Sequence, residues 1–228
     1  MSQDAQTILA RVDSVMNAPR DMVALGEMTL IDKGGSQKVR STKIYQKGTE
    51  WRLVRFLTPA DVRGVSFLRL PDDRMYLYLP AFRKVRRIAS SIKYEKFMGT
   101  DFSYEDLSPS GYSQNYGVSL APSDGEDLYA LVLTPKPGAD VSYGKLVLKI
   151  RKDNYVSTKV EYYNRMGKLE KVLSVDDIER IGPYWVGKKM EMVDRRNNHR
   201  TLFTLSRIAF DQNLKDSIFT VRNLKRIE

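Results

Sequence analysis

The side chains that could carry out catalysis are few, and they lie in predicted turns. His199 is the only histidine, it stands in a polar stretch at 197–200, and the chain contains no cysteine. A single histidine cannot form a histidine-rich metal site. Without cysteine, thiolate nucleophiles, zinc–thiolate sites and iron–sulfur clusters are excluded. We therefore predict no metal site.

A cluster of carboxylates near the middle of the chain is the other candidate for chemistry. Paired carboxylates can hydrolyse glycosidic bonds, but acidic residues beside turns more often form local hydrogen bonds. The sequence has no nucleophile elbow, zinc-protease motif or phosphate-binding loop. We predict a protein that is not an enzyme, with no catalytic residue and no cofactor. The clustered carboxylates are Glu105, Asp106, Asp124, Glu126 and Asp127.

A basic run, Arg83-Lys84-Val85-Arg86-Arg87, is the strongest local concentration of charge. In a strand, alternate residues point to opposite faces, so cations would lie on both sides. One interpretation is that Arg86 or Arg87 binds an anionic headgroup or holds a lid. The other is that the charges protect a sheet edge from aggregation.

Aromatic residues near this run also fit a surface for single-stranded nucleic acid, which combines cations with stacking rings. Aromatic residues in strands are more often core residues or cross-strand pairs. We therefore predict no nucleic-acid partner. The aromatic residues concerned are Tyr76, Tyr78, Tyr94 and Phe97.

The composition limits where the protein can act. The 228 residues carry a net charge of +10, which favours anionic partners. No run of about 18 apolar residues exists, so we predict no membrane-spanning helix. The short polar start at 1–6 fits an exported chain whose signal peptide has been removed, and equally a cytosolic one.

The elements that must position these residues are mostly strands. Apolar residues at helical spacing predict a helix at 5–16, capped by Asp4 and ended by Asn17 and Pro19. Alternating patterns with short turns then predict an antiparallel meander. Its strands are expected at 21–30, 39–45, 51–57, 61–70, 74–79, 83–89, 127–133, 143–152, 155–163, 168–181, 184–193 and 200–210.

Residues 90–122 break this rhythm, and they lack a period from 108 onward. A long irregular segment in a compact domain is usually functional or mobile. Residues 214–219 are expected to form a short helix or turn, and 221–227 a tail or edge strand. A sheet of about ten or more strands tends to curl or close. We predict a mainly β fold, an antiparallel half-open barrel with an N-terminal helix, as a single domain over 1–228.

Several stretches resemble the LolA-like family of outer-membrane lipoprotein-sorting proteins, and they span the chain from about residue 20 onward. The most specific is Met-Gly-Thr-Asp-Phe-Ser-Tyr-Glu-Asp-Leu at 98–107. The others lie at 55–64, 74–80, 84–88, 161–163, 182–186 and 190–192.

The resemblance implies an unclosed barrel that wraps an apolar cavity, with short helices as a lid over residues 97–122. It implies a periplasmic carrier that binds lipid or lipoprotein acyl chains and shuttles them towards the outer membrane. An inner-membrane transporter or an outer-membrane acceptor would be its partner. The expected lining residues are Phe56, Leu68, Met75, Leu77, Leu79, Leu131, Leu133 and Leu148. The expected lid residues are Phe97, Met98 and Phe102.

An alternative function stays open on the sequence alone. Relatives of this fold also act as sensors of envelope stress. The chain could therefore be a periplasmic sensor or accessory protein of a stress or efflux system, acting through protein–protein contacts. The sequence leaves the native ligand and the oligomeric state open.

Overall fold

The computed structural model describes residues 4–107, 111–123 and 125–226. Within these residues, thirteen strands form an antiparallel sheet whose strand order does not close on itself. This confirms the predicted fold class, which is mainly β and antiparallel with an N-terminal helix. The strands are β1 Asp21–Ile31, β2 Gln37–Lys47, β3 Trp51–Thr58, β4 Ser66–Leu70, β5 Arg74–Leu79, β6 Lys84–Ile88, β7 Tyr116–Ala121, β8 Leu128–Pro135, β9 Lys145–Arg151, β10 Ser157–Tyr163, β11 Leu169–Ile181, β12 Tyr184–Asp194 and β13 His199–Phe210.

The described part of the chain also forms three α-helices: α1 Ala5–Met16, α2 Tyr112–Asn115 and α3 Val221–Leu224. The predicted capping of α1 is confirmed, because the Asp4 carboxylate accepts a hydrogen bond from the Thr7 amide at 2.8 Å. The helix ends at Asn17, whose amide bonds to the Asp13 carbonyl. None of the described helices is long and apolar enough to cross a membrane.

The chain divides into two compact units. The first unit contains residues 4–18, 111–123 and 125–200, and its strands follow the order β12-β11-β10-β9-β8-β7. The second unit contains 19–107 and 201–226, and its strands follow the order β6-β5-β4-β3-β2-β1-β13. In the second unit, residues of 97–107 pack on one sheet face and the C-terminal segment packs on the other.

Turn chemistry fixes the hairpins that sequence patterns predict. Between β1 and β2, the Asp32 carboxylate accepts from the amides of Gly34 and Ser36. Gly35 adopts a φ of 85°, a left-handed conformation that glycine tolerates best. This turn sets the β1–β2 register, in which Ala24 lies opposite Ile44.

Three sequence expectations differ from the structure. Strand β4 begins at Ser66, because successive turns occupy 59–65. Strand β7 lies inside the segment that we expected to be irregular. Residues 221–224 form α3 instead of a tail or edge strand, because the Thr220 hydroxyl caps the helix by accepting from the Asn223 amide.

Candidate functional site

The predicted lining residues of the first unit lie together on one face of its sheet. Leu131 and Leu148 are register partners on β8 and β9, and Leu133 follows two positions along β8. All three have no exposed surface. Because side chains alternate between faces along a strand, the buried residues in register continue the same face. These are Leu146, Ile150, Val160 and Met192.

The helix α1 lies against β7 and α2 in this unit. It buries Ile8, Leu9 and Val12, which recur at helical spacing and form its apolar side. The Asp13 carboxylate accepts hydrogen bonds from the amides of Tyr112 and Ser113, at 2.8 and 2.9 Å. In the part of the chain that the structure describes, Asp13 is the one α1 side chain that hydrogen-bonds to another element.

Glycine at position 111 permits this contact. A Cβ at Gly111 would lie 2.8 Å from an Asp13 carboxylate oxygen, closer than real Cβ contacts. Any larger residue there would push the carboxylate away from the two amides. Two features therefore attach α1: its small apolar side, and the Asp13 carboxylate, which occupies the space that a side chain at position 111 would fill.

A second, polar depression lies elsewhere on the first unit, formed by β9, β10 and β11. It is an open groove of about 430 Å³, lined by Lys149, Arg151, Lys159, Asp176 and Asp177 among others. Charged walls do not favour a hydrocarbon chain, because uncompensated polar groups lose hydration when apolar matter covers them. This groove is therefore distinct from the apolar face.

The lining residues predicted in the second unit do not share one face. Phe56, Met75 and Leu77 are buried on one face of the sheet, and Leu79 is half-buried on the same face. Leu68 lies on the opposite face, where it packs with Leu53, Tyr78, Phe219 and Leu224. Both faces are covered, so apolar composition alone could not separate them.

The predicted lid residues form a packed layer on the first of these faces. Phe97 is fully buried, with its ring centroid 5.7 Å from Phe56 and 5.5 Å from both Phe67 and Tyr104. Phe102 makes an edge contact with Phe203 at 6.4 Å, and Met98 is half-buried. Residues 97–107 therefore belong to the core of the second unit.

Buried polar contacts hold this layer in place. Arg40 donates to the Met98 carbonyl, and Arg52 donates to the Leu107 carbonyl at 2.7 Å. The Lys96 ammonium lies 2.9 Å from the carboxylate of Asp101, which is fully buried. Burial, together with the like charge of Arg69, lowers the pKa of Arg52 to about 10. Arg52 therefore has a structural role, which is to fix the end of the segment 97–107 at the Leu107 carbonyl.

The arginines chosen from the sequence do not hold the layer. Arg86 and Arg87 are both exposed on β6, at the edge of the sheet. Sequence reasoning missed Arg40 and Arg52, which make the contacts to 97–107. The available signal was the position of Arg52 in a strand whose neighbours Leu53 and Val54 are apolar and buried.

Of the residues considered for catalysis, Asp106 takes a local structural role. The Asp106 carboxylate accepts from the Ser103 amide at 2.7 Å, and the Ser103 hydroxyl accepts from the Asp106 amide at 3.1 Å. Glu126 and Asp127 are exposed, and His199 is half-buried at the start of β13. Asp124 lies outside the described residues. The described residues contain no cluster that could hold a metal ion.

The fold is an open antiparallel sheet with one apolar face and an amphipathic helix. Known protein families and solved structures share features with this chain. A family model described as "Uncharacterized protein" matches residues 48–226. The chain therefore belongs to that family. No curated protein matches it.

Solved structures match along the whole chain. A DUF1329 family protein from Desulfovibrio piger is 29% identical, with a TM-score of 0.89 over 98% of this chain and 100% of that one. A putative outer membrane lipoprotein-sorting protein domain from Vibrio parahaemolyticus is 28% identical, with a TM-score of 0.86 over 96% and 97%. A LolA superfamily protein from Nitrosomonas europaea is 20% identical, with a TM-score of 0.80 over 97% and 100%, and it shares the fold. The resemblance inferred from the sequence is thereby confirmed.

Proposed function

We propose that the protein is a periplasmic carrier that binds acyl chains of lipid or lipoprotein on the apolar face of the first unit. The observation that carries this proposal is the fully buried row of Leu131, Leu133 and Leu148, in the same compact unit as a helix held by one carboxylate. The likeness to the Vibrio lipoprotein-sorting domain supports the choice of ligand and compartment.

The free energies favour exchange of α1 for an acyl chain. Burying one methylene contributes about 0.8 kcal/mol, so a chain of about 16 carbons gains roughly 12 kcal/mol when fully buried. Burial of Ile8, Leu9 and Val12 contributes about 5 to 9 kcal/mol in total, at about 1.5 to 3 kcal/mol each. A chain of about 16 carbons therefore exceeds the apolar contribution of α1, whereas a chain of about 8 carbons, at roughly 6 kcal/mol, does not exceed that range.

The two covering segments, α1 and residues 97–107, have different roles. Displacing 97–107 would remove the buried Phe97 ring from its contacts, at about 3 to 5 kcal/mol, and would leave the buried Thr201 hydroxyl without Asp101, at about 1 to 3 kcal/mol. Displacing α1 exposes Asp13 and two amides near the surface, where water replaces their hydrogen bonds. We therefore assign the opening movement to α1 and a fixed structural role to 97–107.

A carrier of this kind must take up its cargo at one membrane and release it at another. An inner-membrane transporter would supply the acyl chains, and an outer-membrane acceptor would remove them by offering a competing site. Release follows when the acceptor binds the cargo more strongly than the carrier does. It also follows when the acceptor binds the cargo-free carrier, with α1 closed, more strongly than the loaded carrier.

Direct detection of bound lipid tests the proposal. Protein purified from an envelope fraction and examined by native mass spectrometry is expected to carry lipid or acyl adducts. A fluorescent fatty acid of about 16 carbons should bind to delipidated protein, and one of about 8 carbons should bind far more weakly.

A pair of matched variants tests whether fatty acid enters where α1 is attached. Asp13→Ala removes the polar attachment of α1 and is expected to accelerate uptake several-fold without loss of affinity. Asp153→Ala removes a carboxylate that pairs with Arg151 in the same unit, remote from α1, and should leave uptake unchanged. Protein that is free of lipid and takes up no fluorescent fatty acid would refute the carrier function.

A further inference from the structure

The turn before β6 and the strand itself form a surface that we call the basic edge, residues 82–87. Phe82 is 64% exposed, although it is a large apolar residue. Arg83, Lys84, Arg86 and Arg87 follow it and are all exposed. The basic edge thus combines four exposed cations with one exposed aromatic ring.

The charge of the basic edge is not neutralised locally. The sequence contains no aspartate or glutamate between Asp73 and Glu95. Among residues 4–107, 111–123 and 125–226, none of the four cations takes part in an ion pair. Their field is therefore directed into solvent, where it attracts anions.

The geometry presents these groups to a flat surface. Among the strands that the structure describes, β6 pairs with β5 alone and ends the strand order, so no described strand lies along its outer edge. Arg86 lies opposite Leu77 and Arg87 opposite Tyr76, so the two guanidinium groups leave the strand on different faces. A surface that meets β6 edge-on contacts cations from both faces at once.

The turn that carries Phe82 is ordered by its own backbone. Phe82 ends a 3-10 turn, Pro80–Phe82, and the next residue, Arg83, adopts a left-handed φ of 51° and donates its amide to the Pro80 carbonyl. The proline and this hydrogen bond order the turn before any binding. The backbone that carries the ring is therefore ordered before binding, and this part of the conformational entropy is not lost on docking.

We propose that the basic edge is a docking site for an anionic phospholipid bilayer. Lysine and arginine side chains bind the negatively charged headgroups, and Phe82 inserts at the boundary between headgroups and acyl chains. An acidic protein strand that added to β6 would need an apolar row to pack on. The strand offers only Val85, half-buried, and Ile88, already buried. This docking goes beyond acyl-chain binding and does not depend on it.

Vesicle co-sedimentation tests the proposal with the intact chain. Wild-type protein should bind vesicles of phosphatidylcholine with 30% phosphatidylglycerol, and should not bind pure phosphatidylcholine vesicles. Replacing Arg83, Lys84, Arg86 and Arg87 by glutamine is expected to weaken partitioning by up to roughly 1,000-fold. Bound protein should dissociate as salt rises, because surface charges are screened.

Two further variants determine whether vesicle binding depends on the position of the cations in the basic edge as well as on the net charge of the protein. A control in which Lys33, Lys38, Lys168 and Arg195 are replaced by glutamine removes four exposed cations elsewhere and should bind as the wild type does. Phe82→Trp should show a blue-shifted emission with anionic vesicles, beyond any change of the native tryptophans.

Three results would overturn the proposal: no binding of the wild type to anionic vesicles, equal binding to neutral vesicles, or equal loss in the control variant. Binding to polyglutamate or oligonucleotide without binding to vesicles would also overturn it. Circular dichroism of each variant confirms that it folds. Uptake of fluorescent fatty acid should be unaffected by the four basic-edge substitutions, so failure of docking and failure of the carrier function remain distinguishable.

Discussion

Asp101 and Thr201 exchange two hydrogen bonds across a separation of 100 residues. The Asp101 amide donates to the Thr201 hydroxyl oxygen at 3.0 Å, and the same hydroxyl donates to the Asp101 carboxylate at 2.8 Å. Both residues are fully buried. One hydroxyl therefore serves as acceptor and donor at once, and it ties the segment 97–107 to β13.

Replacement of that hydroxyl should destabilise the second unit. Thr201→Val keeps the shape of the side chain but leaves a buried amide and a buried carboxylate oxygen without this partner. We expect a loss of about 2 to 4 kcal/mol in the free energy of unfolding, measured with urea. Thr201→Ser keeps the hydroxyl and should lose less than half as much. Equal stability of the valine and wild-type proteins would contradict the structural role of this pair.

The aromatic cluster around Phe97 should be a main source of stability for the same segment. Phe97→Ala removes a ring that contacts Phe56, Phe67 and Tyr104, and should cost about 3 to 5 kcal/mol through lost burial and a residual cavity. Phe82→Ala removes an exposed ring and should change stability by less than about 0.5 kcal/mol. Thermal unfolding of both variants would show whether Phe97 is core; similar melting temperatures would contradict it.

Close packing against Gly26 predicts that even a methyl group is not tolerated there. A Cβ at this position would lie 2.6 Å from the Phe203 ring and 2.7 Å from the Thr42 hydroxyl oxygen. Gly26→Ala should destabilise the protein by about 1 to 3 kcal/mol through overpacking. Adding Phe203→Leu should restore part of that loss in a double-mutant cycle. Gly117→Ala is the control, because its nearest atoms lie 3.8 Å or more away.

Acid should loosen the start of α1. The pKa of Asp4 lies below its usual value because the Thr7 amide and then the Thr7 hydroxyl donate to the carboxylate. The folded state thus favours the ionised form. This contribution is present above pH 3.8 and is lost as the pH falls through the lower, folded pKa.

Nuclear magnetic resonance measures this directly. The Asp4 carboxyl carbon should titrate below pH 3.8, and the Thr7 amide should shift with the same midpoint. In Asp4→Asn, which still caps the helix, the Thr7 amide should not titrate over this range. A midpoint for Asp4 at or above its ordinary value would show that the cap does not form in solution.

Much of the fold could be predicted because its determinants are local. The boundaries of α1 follow from a capping aspartate and a regular apolar period, and strand Arg74–Leu79 follows from alternation between two turns. Strand β7 was missed because Gly117 and Ser119 weaken its alternation, and only Tyr116 is fully buried. Helix α3 was missed because it has four residues and is held by tertiary contact, through the Arg55 bond to the Asn223 carbonyl.

The grouping of the expected lining residues follows from the sequence only in part. Leu131 and Leu133 share a face because they lie two positions apart on β8, and Leu148 joins them because the β8–β9 register places it opposite Leu131. The separation of Leu68 from Leu77 depends on which covering segment reaches each face, and those segments are distant in sequence. The roles of Arg40 and Arg52 depend on the same long-range packing. Local patterns report periodicity, but they do not report what covers each face.

Locking α1 in place is the most direct test of the carrier account. The chain has no cysteine, and a Cβ at Gly111 would lie 2.9 Å from the Asp13 Cγ, so the pair Asp13→Cys and Gly111→Cys can form a disulfide. Uptake of a fluorescent fatty acid by the delipidated double variant should be abolished when the disulfide is formed and restored on reduction. Wild-type protein under the same oxidising conditions should be unaffected. Equal uptake by the oxidised and reduced forms would contradict the opening of α1 as the route to the apolar face.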